Sequence, residues 1–162
     1  MDVSNKLIYT LTEIAGILNT LKIKYCLIGG LAVSMLSKPR ATEDVDFLIL
    51  LEKDQKDHLL LEIEKKFQII QNKDPFIFKN ATIWRLIVKD KKSEDYDFAI
   101  LDFLLADMEI YKNALNFPLI IKIYNREINV INIENLIKIK ELSGRRIDIL
   151  DVEELTKELN KK

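Results

Sequence analysis

The stretch "LIGGLAVSMLSKPRATEDVDFLIL", residues 27–50, constrains this chain more than any other. An apolar run stops at Gly29-Gly30, a short apolar segment follows, and a second apolar run starts on Asp44 and Asp46. Glycines between a strand and a helix let the backbone approach a ligand closely, and a helix N-terminus offers unpaired N–H groups to phosphate. An ordinary tight turn uses the same residues. Side chains alternate along a strand, so Asp44 and Asp46 share a face, about 5–7 Å apart by strand geometry. Two carboxylates so placed repel unless a cation or a proton relieves them. Hard oxygen ligands suit Mg²⁺ or Mn²⁺; a solvated strand end would also tolerate the pair.

Patterning around this stretch predicts an α/β (α+β) chain with a mixed sheet flanked by helices, as one domain over residues 1–162. Val3, Leu7, Leu11, Ile14, Leu18 and Leu21 recur at helical spacing, giving a helix over residues 3–21. "KYCLI" reads as a strand, "LAVSML" as a short helix ended by "SKPRA", and "VDFLILL" as a central strand apolar on both faces. Residues 54–67 read as a helix through Leu60, Leu61, Ile63 and Phe67. "ATIWRLIVK" and "DFAILDFLLA" form a hairpin across "DKKSEDY", and "LIIKIY" with "EINVINI" forms another around Asn125-Arg126. "ENLIKIKEL" and "RRIDILDVEELTKEL" are helices parted by Ser143-Gly144, a helix stop.

A third acid joins the first two. Asp102 shares its strand face with Ile100 and Leu104, and a bare charge there would cost several kcal/mol, roughly 2–7 even for a neutral polar group. It must be paired, metal-linked or protonated. Arg85 on the neighbouring strand is one partner; a metal shared with Asp44 and Asp46 is another, with Asp102 also serving as general base on an attacking hydroxyl. A phosphate cradle beside metal-binding carboxylates suits a metal-bound nucleoside triphosphate.

Composition narrows the alternatives. A formal net charge of −1 announces no global basic field for nucleic acid. One cysteine, Cys26, excludes an internal disulfide or a multi-cysteine zinc site. No run reaches the roughly 20 apolar residues that span a bilayer, and the first apolar stretch, broken by Thr12 and Glu13, has no signal-peptide layout. A cytoplasmic location without membrane contact is the expectation. His58 reads as a surface residue, and Trp84 and Phe103 as core.

With these residues in view, "GG" followed by "RATEDVDFL" resembles the signature of nucleotidyltransferases typified by DNA polymerase beta. Arg40, Thr42, Asp44 and Asp46 form the R-x-T-x-D-x-D pattern of small AbiEii-type and related minimal members. "IENLIKIKELSGRRIDILDVEEL" resembles their closing pattern through Lys140, Arg145, Arg146, Asp148 and Asp151. The resemblance implies nucleoside monophosphate transfer from an NTP to a hydroxyl acceptor, with pyrophosphate released. Asp44, Asp46 and Asp102 would be catalytic and hold Mg²⁺ or Mn²⁺. Gly29, Gly30, Arg40, Thr42, Lys140 and Arg145 or Arg146 would bind the nucleotide. Gly30 lacks the serine hydroxyl that many members place in the turn. The implied acceptor is tRNA, a partner protein or a small molecule such as an antibiotic, and toxin–antitoxin systems use this fold. A non-catalytic nucleotide- or partner-binding module retaining the fold is the alternative, and an RNA-binding regulator a further one. Arg145 and Asp148, three apart on a helix, also suit a simple ion pair.

Overall fold

The structure, a computed structural model, describes residues 3–161. Helix α1 (Val3–Thr20) leads into β1 (Lys24–Ile28), α2 (Gly29–Leu36) and β2 (Asp44–Leu50). Next come α3 (Gln55–Glu64), β3 (Phe67–Asn72), β4 (Phe76–Phe78), β5 (Ala81–Asp90) and β6 (Ala99–Leu105). Helix α4 (Glu109–Ala114), the hairpin β7 (Leu119–Ile123) and β8 (Arg126–Val130), then α5 (Ile133–Ser143) and α6 (Arg146–Asn160) complete the chain.

One mixed sheet runs β3-β5-β6-β2-β1-β8-β7, with β4 also paired to β5. β2 lies antiparallel to β1 and parallel to β6, the mixed α/β arrangement that the sequence predicts. Its central place explains why "VDFLIL" is apolar on both faces. On one face Phe47, Phe103 and Trp84 stand in register across β2, β6 and β5. Ring centroids are 6.2 Å apart for Phe47–Phe103 and 5.2 Å for Trp84–Phe103. Leu11, Ile14 and Leu18 of α1 and Leu59 and Ile63 of α3 are buried in this core. Burying each such side chain contributes about 1.5–3 kcal/mol. Helices α2, α5 and α6 pack together elsewhere, α2 against β1 and β2 as well as α6. Among the described residues no helix is long and apolar enough to cross a membrane.

The sequence reading differs in three places. The helix expected over 54–67 stops at Glu64, Phe67 opens a strand, and Leu61 is exposed; apolar residues spaced for a helix serve a buried strand start equally well. Strands β3 and β4 carry no clear alternation of burial along their length, so they gave no period-two signal. Helix α4 is six residues long, too short to show a helical period.

Candidate active site

The glycine turn is built as a close approach. Gly29 has φ +70°, and a Cβ there would lie 2.8 Å from the Cβ and Cγ of Asp46. A side chain at Gly30 would meet Thr42 Oγ1 at 2.7 Å and Arg40 Nη2 at 3.1 Å. The turn therefore rests directly on Arg40, Thr42 and Asp46, and the Thr42 hydroxyl occupies the space over Gly30 where a serine would carry its own.

Register brings the acids together. Asp46 pairs with Asp102 across the parallel β2–β6 ladder, and Asp102 pairs with Arg85 across β5–β6. Asp44 stands two residues before Asp46 on the same strand face, and one carboxylate oxygen from each of Asp44, Asp46 and Asp102 lies within 4.8 Å of the others. Burial, then the charges of Asp102 and Asp44, push the Asp46 carboxyl up to about 7, against the opposing charges of Lys140 and Arg145. Asp44 is also pushed up, first by burial and then by Asp102. Such a donor set fits a divalent cation, because three oxygens converge and their mutual repulsion is otherwise unrelieved.

Asp102 is ion-paired to Arg85 and also stands within the carboxylate group. Arg85 Nε donates to Asp102 Oδ1 and Nη2 to Oδ2, each at 2.7 Å, while Asp102 remains in the carboxylate cluster.

The closing segment supplies charge through a buried network. Lys140 is 4% exposed, and its Nζ lies 3.2 Å from Asp148 Oδ1 and 2.9 Å from Asp151 Oδ2. Across the chain, Arg40 Nη2 donates to Asp151 Oδ2 at 3.0 Å, and its Nε stands 2.9 Å from Oδ1. Arg145 Nε donates to Asp148 Oδ2 at 2.9 Å and Ser143 Oγ donates to the same oxygen at 2.7 Å. Burial pushes the Asp148 carboxyl up, but the Arg145 and Ser143 hydrogen bonds and the Lys140 charge outweigh it and hold it at about 2. Gly144, φ +63°, ends α5, and the Arg145 N–H closes back on Asp148 Oδ2 at 3.2 Å. That turn aims Arg145 at the cleft, whereas Arg146 opens α6 as an exposed residue outside the cleft lining.

All of these except Gly144, Arg146 and Asp151 border one cleft of about 1280 Å³. Sequence reasoning missed the Arg40–Asp151 pair, whose partners stand 111 residues apart and share no local pattern. It also missed the aromatic strand β4, whose Phe76 and Phe78 line the cleft; only their alternation in "FIF" hinted at it. His58 is exposed, and Trp84 and Phe103 are core, as read from sequence.

No protein-family model matches this sequence, and no curated protein matches it. Solved structures do. The antigenic nucleotidyltransferase-like protein of Paracoccidioides brasiliensis superposes with a TM-score of 0.65 at 20% identity, over 94% of this chain and 76% of that one. A proposed nucleotidyltransferase of Thermotoga maritima gives 0.62 at 12% identity, over 99% and 97%. The lincomycin-bound lincosamide antibiotic adenylyltransferase LnuA gives 0.56 at 18%, over 96% and 98%. Overlap along nearly the whole chain, at identities too low to carry an activity, establishes the architecture: this chain has a minimal nucleotidyltransferase fold.

Proposed function

We propose that the chain is a metal-dependent nucleotidyltransferase that moves a nucleoside monophosphate from an NTP to a hydroxyl acceptor, acting as a single domain. The convergence of Asp44, Asp46 and Asp102 beside the Gly29-Gly30 turn carries this reading.

Asp44, Asp46 and Asp102 would hold Mg²⁺ or Mn²⁺, which when bound neutralises charge on the reacting phosphate. The Gly29-Gly30 backbone and the Thr42 hydroxyl hold the β and γ phosphates. Arg40 and Arg145, anchored by Asp151 and Asp148, turn their remaining donors to the triphosphate. Lys140, enclosed between two carboxylates, contributes as a fixed charge beneath the site rather than by contact, and Arg146 ranks behind Arg145. Asp102 accepts the acceptor's hydroxyl proton. The acceptor oxygen then bonds to the α-phosphorus, the bond from that phosphorus to the α–β bridging oxygen breaks, and pyrophosphate leaves with the electron pair.

One feature favours a second reading. The Arg85 guanidinium already occupies Asp102 through both oxygens, as suits a nucleotide-binding module that performs no transfer. Thermal shifts with each NTP, with and without Mg²⁺, test what the two readings share. A Mg²⁺-dependent stabilisation lost in Asp44→Ala/Asp46→Ala supports both; no shift with any NTP overturns both. Transfer of labelled NMP to any extract component then favours the enzyme, and nucleotide binding without transfer the module.

A further inference from the structure

The cleft has two chemically different ends. Gly29, Gly30, Arg40 and Thr42 form the polar end, at the β1–β2 side. From Asp46 the acidic row crosses to Asp102 on β6 and stops at Arg85 on β5. One step along those strands stands an apolar row in register: Leu104 on β6, Ile83 on β5 and Phe76 on β4. Phe78, two residues beyond Phe76, pairs with Ala81 and extends the row. Leu104 is two residues from Asp102, about 6–7 Å along the strand. Phe76 is 36% and Phe78 44% exposed, and Ile139 of α5 lines the same cleft. Lys79, at the tip between β4 and β5, donates to the Ser143 carbonyl at 2.7 Å and ties that tip to the end of α5.

We propose that this apolar row binds the acceptor, and that the acceptor is a small hydroxyl compound with an apolar face rather than a nucleic acid or a protein. This rests on the nucleotidyltransferase reading above and names its substrate class. Three observations carry it. First, the row begins beside Asp102, which receives the hydroxyl proton, and lies on the side away from the phosphate turn. Second, the cleft of about 1280 Å³ exceeds the roughly 300–1,000 Å³ of a single small-ligand pocket, leaving room for an NTP and one further small molecule. Third, apart from Arg40, Lys140 and Arg145, already assigned to the triphosphate, and Arg85, held by Asp102, the cleft lining offers a polynucleotide only Lys79. Its basic lining, Arg40, Lys79, Arg85, Lys140 and Arg145, is matched by an equal number of carboxylates, and all but Lys79 are ion-paired. Nucleic-acid affinity comes chiefly from lysines and arginines that neutralise phosphates.

The test uses the whole chain with Mg²⁺ and α-labelled NTPs on cell extract divided into RNA, protein, polar small-molecule and apolar small-molecule pools. Mg²⁺-dependent NTP binding is measured in parallel. Label entering the apolar small-molecule pool supports the proposal. In Phe76→Ser/Phe78→Ser that labelling should fall by about tenfold or more, with NTP binding unchanged and partial recovery in Phe76→Leu/Phe78→Leu. Label in RNA, protein or the polar pool overturns the acceptor proposal and leaves the transferase reading standing. Equal loss of NTP binding in the serine variant also overturns it, since the row would then hold the nucleobase. NTP binding without label in any pool overturns both acceptor and transfer, and absence of NTP binding overturns the site as a whole.

Discussion

Arg85 and Asp102 close on each other through two parallel hydrogen bonds of 2.7 Å, at the point where the acidic row of the sheet ends. The guanidinium is the one cation paired directly to the three-carboxylate group among the described residues. Arg85→Gln leaves Asp102 beside Asp44 and Asp46 without that compensation. The metal-free protein should lose about 1–3 kcal/mol of stability, and Mn²⁺ should restore more of it than it adds to the unaltered chain. Thermal melts in chelator and in Mn²⁺ check this; equal metal shifts in both proteins would refute it.

Asp46 sets a pH dependence of the opposite sign to that of a salt-bridged acid. Its folded carboxyl titrates at about 7 against 3.8 for the free group. Between those values the folded state binds the extra proton, so stability falls as pH rises from about 4 to 7. The full effect is at most about 4 kcal/mol. Asp46→Asn should flatten this part of the curve and raise metal-free stability at pH 8, measured by denaturant unfolding across pH. A profile unchanged by the substitution would remove Asp46 as its source.

Asp148 works in reverse. Held at about 2 in the folded state, it contributes stability that is fully present above about 4 and lost as pH falls towards 2. Asp148→Ala leaves Lys140 buried with Asp151 alone, and breaking a buried pair costs about 3–5 kcal/mol. Urea unfolding at pH 7 should show that loss, and the acid limb of the pH profile should shrink with it.

At the glycine turn, Gly29→Ala combines a positive φ, costly by about 1–2 kcal/mol for an L-residue, with a collision against Asp46. Mg²⁺-dependent NTP binding should weaken by about tenfold or more, because the aspartate must move to admit the methyl group. Isothermal titration measures it; wild-type affinity would show that Asp46 does not need its position.

Where sequence and structure agree, the reason is local. Gly29-Gly30, Asp44 and Asp46 lie within 18 consecutive residues, so strand alternation alone put both acids on one face. Asp102 was legible because it stood as a charge among core positions. The arginine anchors were not: Asp151 reads as one more acid on an amphipathic helix, and only folding brings it to Arg40. The β4 wall was hidden because exposed aromatics in a three-residue strand look like loop. The helical spacing over 54–67 overruns the helix because Phe67 satisfies that spacing while serving a strand.

Lys140, Asp148 and Asp151 join α5 to α6 and, through Arg40, to the segment after α2. Any anion that draws Arg40 and Arg145 towards itself pulls on the same carboxylates that pin the last helix. On the nucleotide-binding reading proposed above, occupancy of the cleft and the seating of α6 would be thermodynamically coupled. A filled cleft would slow amide hydrogen exchange along α6, far from the phosphates, and trimming that helix would be felt as lost nucleotide affinity.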